Sequence, residues 1–142
     1  MAYTVQVAVD AADALTLADW WAETLGWVVE ETDESFIDRM IEEGYAVESD
    51  AVAHRGRRVW KGSAAIQHPD DSGPERRRII FQDVPEPKTV KNRVHLDFQT
   101  PDADAVRAEL EQRGARYVRT GSQGPHHWHV MLDPEGNEFC VG

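Results

Sequence analysis

The sequence predicts an α+β protein built from two βαβββ modules. Three observations carry this expectation. Alternating apolar strands at residues 3–9 and 93–99 are each followed by an amphipathic helix. The interval from Gln6 to His95 equals that from Asp13 to Asp102, and the helix-ending glycines Gly26 and Gly114 repeat at almost the same spacing. A unit of this size cannot bury both faces of its sheet by itself, so the two copies are read as one domain over residues 1–142. The first module takes residues 1–84, with an insertion at 33–60, and the second takes 92–142.

In the first strand Val5, Val7 and Val9 share one face, and Gln6 and Ala8 the other, which is the period of a half-buried strand. Asp13 offers a cap to a helix whose Ala14, Leu17, Ala18, Trp21 and Leu25 recur at helical spacing, and Gly26 supplies its left-handed stop. Residues 27–31 read as the second strand. A second helical pattern over 33–45 places Phe36, Ile37, Met40 and Ile41 on one face. With the hairpin 52–54 and 57–60 around Arg55-Gly56, it forms the insertion. Strands at 63–67 and 77–81 flank the polar loop 68–76. Val84-Pro85-Glu86-Pro87 cannot continue a central sheet, because proline lacks the ladder donor, and so reads as a connector.

The second module opens with Val94, Leu96 and Phe98 opposite His95, Asp97 and Gln99. Thr100-Pro101 is expected to start a helix with proline at its first position, and Val106, Leu110 and Gly114 complete the segment. Strands follow at 117–119, 128–132 and 138–141, the last two joined by the turn-rich Asp133-Pro134-Glu135-Gly136-Asn137.

Composition narrows the function classes. With 142 residues, 41% hydrophobic and five tryptophans, the chain has enough apolar surface for a core without metal or disulfide staples. A net charge of −11 repels phosphate backbones and anionic lipid, so neither nucleic acid nor a membrane is an expected partner. The first ten residues read as a strand rather than a leader, no run is long enough to span a bilayer, and a cytoplasmic location is expected. The single cysteine, Cys140, has no internal disulfide partner and excludes a Cys-x-x-Cys pair.

Arg93-Val94-His95-Leu96-Asp97-Phe98 and Asp133-Pro134-Glu135-Gly136-Asn137-Glu138-Phe139 resemble the glyoxalase/bleomycin resistance/dioxygenase superfamily, the vicinal oxygen chelate proteins. The resemblance spans both modules and leaves only the 33–60 insertion outside. It implies modules curled into a half-barrel sheet around a concave pocket, which in the enzymes carries a divalent metal on four strand positions. Gln6 falls on the first position and His95 on the third. The second falls at Phe81 or Gln82, where alternation leaves Gln82 for the pocket. The fourth falls on Cys140, where metal-dependent relatives place Glu; Glu138 shares that face two residues earlier. A set of Gln6, Gln82, His95 and Cys140 lacks the carboxylate charge that hard six-coordinate ions want. The expectation is therefore no cofactor, or a divalent metal weakly held by Gln6, His95 and Cys140.

Within this frame His95 is the candidate catalytic base or weak ligand, against the alternative of a polar inward residue bonded to Asp97. Asp97, Gln6, Gln82 and Glu138 are candidate substrate contacts. In residues 127–132, sending the apolar set Trp128, Val130 and Leu132 towards the helices turns His129 to the concave side, with an exposed strand end as the competing reading. Trp60 and Trp128 are the aromatic pocket candidates, whereas Trp21 belongs to a core stripe. Cys140 is read as a small inert hydrophobe rather than a nucleophile. Arg76, Arg77 and Arg78, like Arg55, Arg57 and Arg58, are read as solvated and paired with local carboxylates. Together these features imply a glyoxalase-like small-molecule protein, a lyase or isomerase of unassigned substrate. The alternative is a metal-free protein that binds and sequesters a drug or metabolite, and a third option is an interaction domain. The resemblance also implies a homodimer.

Overall fold

Each βαβββ pattern folds into an open, four-stranded mixed sheet with a helix packed on one face. The computed structural model describes all 142 residues, and the chain divides into two units, Met1–Pro85 and Glu86–Gly142. In the first unit β1 (Val7–Ala11) leads to α1 (Ala14–Leu25) and the short β2 (Val28–Val29). The insertion follows as α2 (Glu34–Glu42) and the hairpin of β3 (Ala51–His54) and β4 (Arg57–Trp60), before β5 (Ser63–Gln67) and β6 (Arg78–Asp83). The sheet order is β1-β6-β5-β2, with β1 parallel to β6.

The second unit repeats this without the insertion: β7 (Leu96–Phe98), α3 (Ala103–Gln112), β8 (Arg116–Gln123), β9 (His126–Leu132) and β10 (Glu138–Val141). Its order is β7-β10-β9-β8, again with the first strand parallel to the fourth.

The repeated caps are real. Asp13 accepts the Thr16 N–H at 3.1 Å at the start of α1, and Asp102 accepts the Ala105 N–H at 3.0 Å at the start of α3. Gly26 ends α1 at φ 65°, a conformation that costs a side-chain-bearing residue. Among the expected boundaries that move, three have a plain physical reason. The helix start belongs to Asp102 rather than to Pro101, because Asp102 supplies the capping oxygen and Ala103 is the first helical residue. β1 begins at Val7, not at residue 3, because its partner β6 begins only at Arg78 and pairs Val7 with Ile79. β7 is likewise confined to the three residues that pair with β10.

The cores lie between helix and sheet. In the first unit α1 buries Leu17, Ala18 and Trp21 against the sheet face that carries Ile66, Ile79 and Phe81. In the second, α3 contributes Leu110 towards Met131, Phe139 and Val141, and Phe98 stacks on Phe139 with ring centroids 6.2 Å apart. Each such side chain removed from water is worth about 1.5–3 kcal/mol, which fixes the register of the strands that carry them. The insertion buries Ile37 of α2 and is tied together by Arg58, whose guanidinium meets Asp38 and Glu48 while its backbone N–H reaches Glu34. No helix is long and apolar enough to cross a membrane.

Candidate functional site

In the second unit the residues that alternate with Phe139 and Val141 face away from the core. The ladder carries one row of them across the whole sheet: Asp97 pairs with Cys140, Cys140 with Val130, and Val130 with Arg119. Two residues back along β10, and two back from Asp97, stand Glu138 and His95. Two residues on, Gly142 lies between Gln99 and Trp128, close enough that an added Cβ would sit 3.4 Å from Gln99 Nε2 and 3.6 Å from Trp128 Cβ. The Trp128 indole lies across Gly121, where a Cβ would come within 2.6 Å of the ring, so only glycine permits this ring position. These residues border a cavity of about 600 Å³.

The acidic groups of this face are engaged by its other polar groups. A ring nitrogen of His95, Nδ1, is 2.8 Å from Asp97 Oδ1, and the donor atoms of His95, Asp97 and Cys140 all lie within 4.8 Å of one another. Burial pushes the Cys140 thiol up to about 11, aided by the Asp97 charge and a hydrogen bond to Asp97. At neutral pH the thiol therefore keeps its proton and is a poor nucleophile. Glu138 accepts the Asn92 N–H at 2.9 Å and Lys88 Nζ at 3.2 Å. Burial alone would raise its carboxyl, but the Asn92 and Lys88 hydrogen bonds outweigh burial and hold it below its ordinary value.

Asp97 changes the reading of the ligand positions, because it brings to His95 and Cys140 the carboxylate that their own positions lack. Imidazole, carboxylate and thiol make a nitrogen, oxygen and sulfur set. Such a set suits zinc better than a hard six-coordinate ion, and binding would have to displace the thiol proton.

His129 requires a correction: it faces the helix, not the concave side. β9 is registered so that His129 pairs with Val141 and Met131 with Phe139, the two buried residues of β10. There His129 Nε2 lies 2.6 Å from Asp104 of α3, and Nδ1 lies 3.1 Å from Thr120 Oγ1. A helix carboxylate gives this buried imidazole a partner, so the apolar Trp128 and Val130 are the residues left facing the cavity. Arg119 was not anticipated. Simple alternation puts Tyr117 and Arg119 on one face, but β8 has a register shift between them. Tyr117 pairs with Met131 and packs edge-on to His129 on the core side, while Arg119 pairs with Val130 and borders the cavity.

Gln6, Gln82 and Trp60 belong to the first unit. Gln6 Oε1 accepts from Arg78 Nη1 at 2.5 Å, and Arg78 is also held bidentately by Glu30 at 2.8 and 2.9 Å. Those hydrogen bonds, led by Arg78, keep the Glu30 carboxyl below its ordinary value against the effect of burial. Gln82 is exposed and pairs with Ser63 and Asp10. Trp60 meets Phe36 edge-on at 6.3 Å and borders a cavity of about 490 Å³ that Ile80, Ala65 and His54 also line. The arginine clusters are paired: Arg76 with Glu30, Arg77 with Asp71, Arg55 with Asp19 and Arg57 with Glu31.

Two βαβββ sheets of identical strand order, with a polar, aromatic-lined cavity on the sheet face of one, define a glyoxalase-type α+β protein. The chain belongs to the glyoxalase-like domain family, whose model matches residues 6–142. The solved structures agree on the fold. A member of the glyoxalase/bleomycin resistance protein/dioxygenase superfamily from Sphaerobacter thermophilus is 14% identical with a TM-score of 0.59, over 99% of this chain and 96% of its own. The antibiotic-binding protein TnmS3 from Streptomyces is 16% identical with a TM-score of 0.57, over 100% and 95%. The bleomycin-binding protein of Streptomyces verticillus, complexed with copper(II)-bleomycin, is 14% identical with a TM-score of 0.53, over 99% and 95%. No curated protein matches the sequence.

Proposed function

We propose that this protein binds a small aromatic molecule in the cavity of its second unit, with Trp128 as the stacking surface and His95, Asp97 and Gln99 as its polar contacts. The observation that carries this reading is the Trp128 indole laid flat across Gly121, beside the His95–Asp97 pair, on a cavity of about 600 Å³. That volume falls within the range of small-molecule sites, and the lining sets Trp128, Phe98 and Val130 among polar side chains. The antibiotic-binding relatives support binding as a use of this fold, although fold alone does not assign function. The protonated Cys140 and the occupied Glu138 favour binding over nucleophilic chemistry.

A second reading rests on one specific geometry. The 2.8 Å contact between His95 and Asp97 orients an imidazole as a general base, the arrangement a lyase or isomerase needs for proton transfer. Alternatively, with His95 serving as a ligand and not as the base, His95, Asp97 and Cys140 would hold a divalent ion, and the ion would supply Lewis-acid polarisation of a substrate oxygen. A homodimer in a cytoplasmic setting completes the proposal. The charge of −11 argues against nucleic-acid and anionic-membrane partners.

The test is a thermal-shift and fluorescence titration of the full chain against aromatic antibiotics and metabolites, with and without zinc. A saturable ligand must raise the melting temperature, because it binds the native state. The effect should vanish in Trp128→Ala while the unliganded melting temperature stays within a few degrees of wild type. No saturable ligand for wild type, or one indifferent to Trp128→Ala and His95→Ala, overturns the binding reading. Turnover of a bound compound that is lost in His95→Ala would move the assignment to the enzyme.

A further inference from the structure

The charges around the same cavity are unequally satisfied, and this inequality points to the ligand's chemistry. Both carboxylates of the lining are engaged: Asp97 by His95 and the Cys140 thiol, Glu138 by the Asn92 N–H and Lys88. Two cations of the lining, Lys91 and Arg119, have no carboxylate partner. Lys91 Nζ reaches only the Asn92 carbonyl, at 3.1 Å. Most arginines elsewhere, such as Arg55, Arg58, Arg78 and Arg107, sit on carboxylates. The lining is balanced in formal charge, Lys91 and Arg119 against Asp97 and Glu138, but both carboxylates are already engaged, so the charge left to meet a ligand is cationic.

Placement makes that charge usable. The register shift in β8 turns Arg119 to the cavity in the same row as Val130, Cys140 and Asp97. Gly121, two residues along the same strand and about 7 Å away, is the floor on which the Trp128 indole rests. A planar ring stacked on the indole therefore has a guanidinium within the span of one small molecule, and guanidinium forks match carboxylates bidentately.

We propose that the ligand of this cavity is an aromatic carboxylate, its ring on Trp128 and its carboxylate on Arg119. This inference rests on the binding reading above and names the ligand class of that site. Anion recognition here assigns Arg119 the role of selecting charge and Trp128 that of holding the ring.

The experiment titrates the full chain at low salt with three probes of one shape: 2-naphthoate, its neutral amide and the corresponding cationic naphthylmethylamine. Wild type should bind naphthoate about tenfold or more tighter than the amide, a preference that shrinks as salt is raised. Arg119→Met should remove the preference while leaving amide binding in place, and Arg119→Lys should restore part of it. Trp128→Leu should weaken all three probes alike. Arg119 is exposed, so circular dichroism and melting temperature should show Arg119→Met folded as wild type. Equal binding of acid and amide, a preference for the amine, or a preference untouched by Arg119→Met overturns the anion assignment and leaves the binding reading standing. Failure of all three probes and of the wider aromatic panel overturns both.

Discussion

The two units share a strand order and a helix position, yet equivalent sheet positions carry opposite chemistry. In the second unit the central row reads Asp97, Cys140, Val130 and Arg119. The matching row of the first unit is Ala8, Ile80 and Ala65. Where the cavity of the second unit is lined by Lys91 and Arg119 without carboxylate partners, the sheet of the first unit holds Arg78 between Glu30 and Gln6. The helix-facing sides, by contrast, are apolar in both apart from His129 and its partners. The scaffold is thus maintained by one face of each sheet, and the other face is free to diverge, because little of the fold's stability depends on it.

If that division holds, the largest effects of mutation should come from the helix-facing sides of both units equally. Phe81→Ala in β6 and Phe139→Ala in β10 each empty a fully buried position, and each should cost about 3–5 kcal/mol in urea unfolding. Ile80→Ala, one residue from Phe81 but on the opposite face and only half-buried, should cost clearly less. A cost at Phe139 no greater than at Ile80 would break the comparison, because the second unit would then lack a core of its own.

The next contrast lies in the hairpin loops. Asp133 before β10 is buried, and its Oδ1 accepts the N–H groups of Glu135 and Asn137, both at 2.9 Å. Its counterpart between β5 and β6 is Asp71, partly exposed, which accepts the Arg77 N–H at 2.8 Å and the Arg77 guanidinium at 2.7 and 2.9 Å. These bonds, with Arg77's side chain foremost, hold the Asp71 carboxyl far below its usual range. Asp133→Ala leaves buried donors unpaired and should cost about 1–3 kcal/mol. Asp71→Ala should shift the unfolding midpoint less, because solvent replaces the lost partner. Equal shifts would show that burial does not separate the two loops.

How legible this was in the sequence follows from the same contrast. The helix stripes, the capping aspartates and the Asp133 loop are local signals, and they located the elements to within a few residues. The site depended on register, which is not local. Both faces of β9 are partly apolar, so periodicity alone turned His129 the wrong way until Asp104 of α3 is seen to give it a partner. One irregular step in β8 hid Arg119. Register also decides which first-unit residue matches Cys140. Ala8 pairs with Ile80, as Asp97 pairs with Cys140, so Gln82 corresponds to Gly142 instead. Gln6 and His95 do match in spacing, but His95 meets Asp97 where Gln6 meets Arg78.

The finest test of the contrast uses a thiol as a probe of each row. The Cys140 thiol stands at about 11 through burial first and the Asp97 charge second, while Arg119 and Lys91 pull the other way. Because a raised thiol value means the protonated form is favoured, alkylation below pH 9 should be slow, and the rate should climb only as pH approaches 11. Asp97→Asn removes one raising influence and should move the rate profile to lower pH, with burial keeping it above the ordinary value. Arg119→Met removes a lowering influence and should move the profile upward. The first unit supplies the control: Ile80→Cys in a Cys140→Ala background places a thiol beside Ala8, with no carboxylate at the paired position. Its profile should lie below that of Cys140 and stay unmoved by Asp97→Asn. Iodoacetamide labelling followed by mass spectrometry across pH 7–11 reads all five proteins, the Ile80→Cys control being made with and without Asp97→Asn. If Asp97→Asn leaves the Cys140 profile where it was, the thiol is not bonded to that carboxylate, and the two rows differ in composition without differing in electrostatics.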